Sequence, residues 1–208
     1  MNINNEQIRN GRIWGTPLWL EYEKLMGHED LPSSYQRVVD LKKNEDELLN
    51  DMTRGHRTAI KQAIRNKVEV KIYDAKNITE NIFNKFLEAH KTTDSRKNRD
   101  PRCYEILFEF IRRNEAFLVG ASCEKQWIAF AYFFMYKGRA FYGAANINNN
   151  YRHLKPSHLI QWEAMRYMKK NGVEIYELGD QYENNEATEK EENIARFKRG
   201  FGGITTYI

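Results

Sequence analysis

The sequence lacks the features that mark several large classes of protein. It has only two cysteines, Cys103 and Cys123, which are too few for a disulfide framework or a zinc knuckle. Its longest apolar run, residues 127–136, is about half of the roughly 20 residues that a transmembrane helix needs. Residues 1–12 are polar and contain no apolar stretch of the kind found in secretory signals. We therefore expect a soluble, cytoplasmic protein that does not insert into membranes.

Neither sign of charge dominates the chain. The 33 lysines and arginines nearly balance 29 aspartates and glutamates, and 41% of the 208 residues are hydrophobic, which is typical of a globular protein. A chain of this length forms one domain, or one domain with an extension. The net charge of +4 is compatible with an anionic ligand but does not require nucleic acid. No ligand spacing typical of a metal site is present, so we expect no metal cofactor.

The first 35 residues are predicted to form an N-terminal extension that packs on the main domain. Three large aromatic residues, Trp14, Trp19 and Tyr22, stand among polar ones there, and such side chains usually bury against a partner surface. The Pro-Ser-Ser break at residues 32–34 is predicted to join this extension to a domain spanning residues 36–208.

Apolar periodicity predicts alternating helices and strands along the domain. Helices are predicted over residues 44–66, 79–91, 101–113, 157–170 and 193–199. Strands are predicted over residues 68–72, 116–123, 127–136, 140–145, 173–178 and 204–208. This order indicates an α/β (α+β) fold, with a mixed, mainly antiparallel central sheet and helices on both faces. The unit at 140–178 is expected to be a crossover between parallel strands.

Three clusters of residues stand in a characteristic order along residues 36–203. The first is Val-Asp-Leu at 39–41 with Arg54, Arg57, Ile60 and Ala63. The second begins at His158 and continues with Asn-Gly at 171–172 and Ile-Tyr-Glu-Leu-Gly at 175–179. The third is Ile194 with Phe-Lys-Arg-Gly-Phe-Gly-Gly at 197–203. Together they resemble the GNAT-type N-acyltransferases, and more narrowly their FemAB-like branch.

The resemblance implies a single-domain member of a branch that contains the peptidoglycan interpeptide-bridge aminoacyltransferases. It implies a V-shaped splay between the strands at 140–146 and 173–179, with acyl-CoA as the acyl donor. The sequence departs from the family's pyrophosphate loop, because Lys155 and Ser157 stand where that loop has glycines, although Arg152 is present. It also shows no helical arm of the kind that aminoacyl-tRNA users often carry.

The loop at 146–157 leads into a predicted helix, and the amide groups at a helix start attract anions. The resemblance makes this loop a cradle for the pyrophosphate of acyl-CoA; the alternative is a polar loop with Ser157 as an ordinary helix cap. Backbone N–H groups near residues 144–146 are the expected donors to the oxyanion. The candidate cofactor-binding residues are Ala145, Asn146, Arg152, Lys155, Ser157 and Lys198.

Amide formation needs an amine with a free electron pair, and hence a base in the site. Asp180, just past the predicted strand at 173–178, is the leading candidate, followed by His158, and Tyr182 is a candidate acid. The alternatives are a turn residue for Asp180 and an ordinary first-turn helix residue for His158. No Ser/His/Asp or Cys/His arrangement is evident, so we expect direct attack without a covalent enzyme intermediate.

Candidate substrate-binding residues lie on the predicted helix at 44–66 and on the central strands. Arg54 and Arg57 share a basic stripe with Lys61 and Arg65, and no acid occurs between Arg54 and residue 67. The stripe is a candidate grip on an acidic substrate group, with Arg57 preferred; the alternative is a solvated helix face. Tyr132 and Tyr142 are candidates to bind a sugar ring, whereas strand aromatics usually fill a core.

Three functions are compatible with these residues. The favoured one is an N-acyltransferase that moves an acyl group from acyl-CoA to the amine of a small carbohydrate precursor, best a nucleotide-linked amino sugar for a surface polysaccharide. The second is an aminoacyl-tRNA-dependent transferase that builds a peptidoglycan peptide bridge, the one case in which nucleic acid is expected as a partner. The third is a non-catalytic anion-binding module, since fold alone does not fix function. The oligomeric state, monomer or homodimer, does not follow from the sequence.

Overall fold

The structure, a computed structural model, describes residues 16–26, 35–93, 100–181 and 187–207. The helices in these ranges are α1 (Pro17–Met26), α2 (Glu45–Asp51), α3 (Arg54–Arg65), α4 (Glu80–Thr93), α5 (Pro101–Arg112), α6 (Pro156–Lys170) and α7 (Glu189–Arg199). The strands are β1 (Tyr35–Asp40), β2 (Glu69–Tyr73), β3 (Ala116–Cys123), β4 (Gln126–Tyr136), β5 (Arg139–Ile147), β6 (Ile175–Gln181) and β7 (Ile204–Tyr207). A 3₁₀ helix, Asn149–Leu154, precedes α6.

The strands form one seven-stranded sheet in the order β2-β3-β4-β5-β6-β1-β7. All neighbours in this sheet run antiparallel except β5 and β6, which are parallel and joined through α6. This confirms the predicted fold class, the antiparallel meander in the middle of the chain and the parallel crossover after it.

Each face of the sheet carries its own hydrophobic layer. On one face, side chains of α2, α3 and α6 pack against alternate residues of the central strands, including Phe133, Tyr176 and Leu178. On the other face, α1, α4 and α5 cover the remaining alternate residues, including Tyr132 and Phe134. Because successive strand residues point to opposite faces, the strand sequence itself assigns each side chain to one layer. We call these faces the α6 face and the α4 face.

Two predicted element boundaries are wrong. The helix predicted over 44–66 is two helices, because Met52 adopts an extended backbone and Thr53 begins a new helix by accepting a hydrogen bond from the amide of His56. The helix predicted over 193–199 begins four residues earlier, at Glu189, where Thr188 and Glu191 form a capping box.

Strand β1 was not predicted, although it lies between β6 and β7 in the sheet. Its last three residues, Val38, Val39 and Asp40, are all buried, so the alternation of exposed and buried positions that signals a strand is lost there. A strand with neighbours on both sides is identified by its partners, which the local sequence does not reveal.

The part of the N-terminal extension that the structure describes packs on the domain through Trp19. This indole is buried and meets the rings of Phe110 and Phe134 on the α4 face, with centroid distances of 6.3 and 5.0 Å. Trp14 and the predicted junction at residues 32–34 lie outside the described residues. The domain boundary between residues 35 and 36 stays a prediction.

Candidate functional site

Strands β5 and β6 open into a V. They pair over only three rungs, from Arg139 with Ile175 to Phe141 with Glu177, although both strands continue beyond that point. Past the last rung, β5 stays paired with β4 up to Ile147, and β6 stays paired with β1 up to Gln181. The two strands therefore follow different neighbours and leave a gap between them.

A β-bulge on each arm accounts for the divergence. Gly143 is an extra residue of β5 against β4, because Phe133 pairs with Tyr142 and Tyr132 with Ala144. Leu178 is likewise extra on β6 against β1. A bulge bends its strand and increases the local twist, and both bulges lie within two residues of the last shared rung. In the gap, alternate backbone N–H and C=O groups of β5 point away from β4 and toward the opening.

The N-terminus of α6 follows the far end of β5 through the 3₁₀ helix. Its N-cap residue is Lys155, in a left-handed conformation with φ of 60°, and no side chain caps the helix. Pro156 occupies the first helical position and Ser157 the second, so the expectation that Ser157 caps the helix is wrong. Ser157 and Lys155 are half-buried and Arg152 is exposed, which leaves this 15-residue helix with an uncapped, positively polarised start.

Beside that start, His158 packs in a cluster of four rings, three from helices and one from the turn after α7. Its ring lies 4.7 Å from His56 of α3 and 5.1 Å from Phe197 of α7, measured between centroids, and Phe201 completes the cluster. Burial, with His56 and Lys155 as smaller contributors, lowers the pKa of His158 to about 4. The imidazole of His158 is therefore neutral at pH 7, and a proton that it accepts is held only weakly.

His56 is held in one orientation by hydrogen bonds at both ring nitrogens. Its Nε2 lies 2.9 Å from the carbonyl oxygen of Phe197, which fixes the proton on Nε2, and its Nδ1 lies 3.0 Å from the hydroxyl of Thr53. Burial lowers the pKa of His56 as well. A Cβ atom on Gly200 would lie 1.9 Å from the ring, so only glycine fits there. Sequence reasoning did not select His56, whose role depends on contacts across three helices.

The β6 arm of the V carries Asp180 and receives Lys198 from α7. Asp180 lies within β6 rather than past its end. Its side chain is exposed and accepts a hydrogen bond from the side-chain amide of Gln36. The ammonium of Lys198 donates to the backbone carbonyl of Asp180 at 3.3 Å. Burial lowers the pKa of Lys198, and the carboxylate of Asp180 partly opposes this.

Gly179 makes room for that lysine. Its φ is +92°, and a Cβ atom there would stand 2.9 Å from Nζ of Lys198. The structure thus brings Asp180 and Lys198 together on the β6 arm, as two of the predicted site residues.

Ala145 and Asn146 lie on the β5 arm, past the last rung shared with β6. Ala145 is exposed, whereas Asn146 is buried and its Nδ2 has no hydrogen-bond partner among the described residues. An unpaired buried amide costs free energy until a ligand or water supplies its partner.

The two predicted tyrosines differ in accessibility. Tyr132 is 1% exposed on the α4 face, and its hydroxyl donates to the carbonyl oxygen of Leu107 at 2.8 Å, so its polar group is committed to the core. Tyr142 is half-buried on the α6 face, next to the bulge of β5, and stacks on Phe133. Burial raises the pKa of Tyr142 to about 12, with Gln161 acting weakly in the opposite direction, so the phenol stays protonated.

Arg57 is occupied by the chain itself. Its guanidinium donates to the carbonyl oxygens of Leu49, at 3.1 Å, and of Asn50 and Met52, so it caps the C-terminal end of α2. Arg54, by contrast, is exposed, and like Lys61 and Arg65 it forms no ion pair within the described residues.

Other predicted features lie outside the described residues or concern absences. Tyr182 follows β6 and lies outside the described residues. Within the described ranges, no helix is long and apolar enough to cross a bilayer. The same ranges hold no group of three or more acidic, histidine or cysteine side chains placed to bind a metal ion.

Comparison with known proteins places this arrangement in a family. Residues 51–199, well over half of the chain, match the sequence profile of the acetyltransferase (GNAT) domain. The chain belongs to this family. The GNAT assignment confirms the resemblance inferred from the three residue clusters. No curated protein sequence matches the chain.

Solved structures share the GNAT fold of this chain. FemX superposes with a TM-score of 0.70 at 16% identity, over 90% of this chain and 66% of FemX. The C-terminal domain of a putative lysylphosphatidylglycerol synthetase from Agrobacterium fabrum gives 0.63 at 13% identity, over 84% of this chain and 58% of that one. A tandem GNAT protein from the clavulanic acid biosynthesis pathway gives 0.52 at 12% identity, over 92% and 57%. The chain thus spans less than two thirds of each of these relatives.

Proposed function

We propose that this GNAT protein is an N-acyltransferase that uses acyl-CoA as donor and the amine of a small acceptor as nucleophile. The observation that carries the proposal is the V between β5 and β6, followed along the chain by the uncapped start of α6. A thioester arm in the gap meets free backbone groups of β5, and a pyrophosphate meets the positive end of a helix.

The residues around the gap take separate roles in this proposal. Lys155, Arg152 and the amide of Ser157 hold the pyrophosphate, and Lys198 supplies a further positive charge from the β6 arm. Of the backbone N–H groups at Ala145 and Asn146, the one that points away from β4 stabilises the oxyanion of the tetrahedral intermediate.

On the acceptor, our proposal is a nucleotide-linked amino sugar of a surface polysaccharide. The phenol of Tyr142 lies beside the bulge that opens the V, where it can donate a hydrogen bond to a sugar hydroxyl. Asp180 and His158 are the candidates for moving protons, and Tyr182 is a candidate acid.

The donor site is tested by thermal unfolding with and without CoA, comparing Lys155→Gly with the native chain. Glycine keeps the left-handed backbone at this position and removes the charge. Loss of one charge-assisted hydrogen bond weakens CoA binding by roughly tenfold or more. Lys137→Gly is the matched control, because Lys137 is also left-handed but lies in the hairpin turn between β4 and β5. Equal CoA affinity in both variants would place the phosphates elsewhere.

Turnover is tested by mass spectrometry of acyl transfer from acetyl-CoA to a nucleotide-linked amino sugar, to the free amino sugar and to amino-acid amides. Acylation of the nucleotide-linked compound alone would support the proposed acceptor, and acylation of another amine would replace it. The absence of both CoA binding and transfer would exclude an acyl-CoA-dependent enzyme and leave the aminoacyl-tRNA-dependent transferase or a non-catalytic module.

The second candidate function is aminoacyl-tRNA-dependent transfer that extends a peptidoglycan peptide bridge. The similarity to FemX and the exposed stripe of Arg54, Lys61 and Arg65, which carries no ion pair within the described residues, favour it. It requires tRNA binding that weakens steeply with salt, because phosphate contacts release counterions. Under this candidate, charge reversal of Lys61 weakens tRNA binding, and CoA has no effect on the unfolding temperature. Under the first candidate, CoA raises the unfolding temperature, and charge reversal of Lys61 does not change that rise.

A further inference from the structure

A polar pair is buried beside the fork of the V, between α6 and the sheet. Gln161 of α6 and Tyr176 of β6 are both fully buried, and Tyr176 belongs to the hydrophobic layer of the α6 face. The hydroxyl of Tyr176 donates to Oε1 of Gln161 at 2.5 Å. Glutamine is mostly exposed in folded proteins, and burying it costs free energy unless its whole amide group is hydrogen-bonded. The position therefore calls for partners on both ends of the amide.

Only one end of the Gln161 amide has such a partner. Its nitrogen, Nε2, forms no hydrogen bond within the residues that the structure describes. The group beside it is the phenol of Tyr142: burial raises the pKa of Tyr142 to about 12, and Gln161 opposes that rise. The phenol of Tyr142 in turn contributes to raising the pKa of Tyr176, after burial. The two phenols and the amide therefore lie next to one another, with the amide between the rings' oxygen atoms.

The two tyrosines flank the point where the strands part. Tyr142 directly follows, and Tyr176 directly precedes, the last rung shared by β5 and β6, which joins Phe141 to Glu177. The ring of Phe133 packs against both, with centroid distances of 5.4 Å to Tyr142 and 6.2 Å to Tyr176. Tyr142 is half-buried, whereas Tyr176 and Gln161 are fully buried. Tyr142 is therefore the one member of this trio that solvent or a ligand can reach.

The hydrogen bond from Tyr176 sets the direction of the hydrogens in this trio. An amide oxygen only accepts and an amide nitrogen only donates, whereas a phenol does both. Because Tyr176 donates to Oε1, the hydrogens of Nε2 are available to the oxygen of Tyr142, and the hydrogen of Tyr142 is left for a ligand. With the opposite orientation of the amide, the hydrogen of Tyr142 would be used within the protein, and that of Tyr176 would lose its acceptor.

We propose that Gln161, held by Tyr176, is a positioning residue that directs the hydroxyl hydrogen of Tyr142 toward the acceptor. This role rests on the proposed function, in which that hydroxyl donates to a sugar hydroxyl, and it adds what orients the donor. Hydrogen bonds in a chain polarise one another, so the Gln161 amide also makes Tyr142 a stronger donor. Gln161 lies about one helical turn after Ser157 in α6. One helix then positions groups for both substrates, the donor at its start and the acceptor one turn later.

The test is a double-mutant cycle on acyl transfer from acetyl-CoA to a nucleotide-linked amino sugar, with Tyr142→Phe, Gln161→Met and the double variant. Methionine is close to glutamine in size but cannot donate a hydrogen bond. We expect each single variant to raise KM for the acceptor by about threefold to tenfold, the effect of one lost hydrogen bond, and to leave KM for acetyl-CoA unchanged. The double variant should be no worse than Tyr142→Phe alone, because Gln161 acts through Tyr142. Met168→Ala, at another fully buried position of α6, is the control: it should lower the unfolding temperature without changing KM for the acceptor.

Each outcome decides the role of Gln161. A native KM for the acceptor in Gln161→Met, additive losses in the double variant, or an equal loss in Met168→Ala would overturn it while acyl transfer itself stands. If Gln161→Met does not fold, Gln161→Glu keeps an oxygen for Tyr176 and removes the donor to Tyr142, and a native KM there would overturn the role as well. Should the native protein acylate a different amine, the same cycle is measured with that amine. Failure of the native protein to bind CoA or to transfer any acyl group would refute the proposed function, and this role with it.

Discussion

Acidification is expected to destabilise the protein through His158. Its pKa is about 4 in the folded protein, chiefly because burial disfavours the charged imidazole, and 6.5 when unfolded. A lowered histidine pKa means that its stabilising contribution is complete above pH 6.5 and is lost as the pH falls toward 4. Between pH 7.5 and pH 5.0 these two values give a loss of roughly 2 kcal/mol in the free energy of unfolding.

The contribution of His158 is isolated by substituting phenylalanine. His158→Phe keeps a ring among His56, Phe197 and Phe201 but cannot take up a proton. Urea unfolding at pH 7.5 and pH 5.0 should show that acidification costs the variant about 2 kcal/mol less than it costs the native protein. Groups that do not contact His158 titrate in both proteins and largely cancel in this difference.

An exposed histidine serves as the control for this measurement. His153 lies in the neighbouring 3₁₀ helix with an exposed side chain, so His153→Gln should lose as much stability on acidification as the native protein. Equal pH dependence in the native protein and in His158→Phe would show that the ring cluster does not exclude a charged imidazole. The reasoning from burial would then be refuted.

Two further outcomes follow from single contacts. Arg57→Leu should lower the free energy of unfolding by about 1–3 kcal/mol in urea titrations, because the guanidinium caps α2. The affinity for CoA should be unchanged. Normal stability with weakened ligand binding would instead indicate that Arg57 binds substrate. Gly179→Ala should lower the free energy of unfolding by about 1–2 kcal/mol, because the φ of this residue is positive. It should also reduce the affinity for CoA by displacing Lys198. An unchanged affinity, measured by calorimetry, would show that Lys198 does not reach the donor.

Local patterns were sufficient for most of the architecture. The antiparallel meander and the crossover through α6 followed from strand and helix periodicities, because each element there has one polar and one apolar side or is long enough to be distinctive. Strand β1 was missed because its second half is buried on both faces. The break at Met52 was missed because its apolar side chain continues the helical pattern on both sides.

The candidate site was predicted only in part, and the reason differs between residues. Lys155 and Ser157 were selected because a helix start can be recognised in the sequence, although the cap was assigned to the wrong one. Arg57 was favoured for its charge, but its partners are carbonyl groups that a broken helix leaves exposed.

The sequence by itself determined the order of most elements, the family and the helix start that attracts anions, since these depend on residues close together in the chain. The tertiary structure alone decided where β5 and β6 part and which cations the chain uses for itself. The point where the strands part depends on strand register, and the register of β5 with β6 depends on bulges at Gly143 and Leu178, which form against other strands. Distant pairing partners, which no local pattern contains, therefore determine the chemistry of the site.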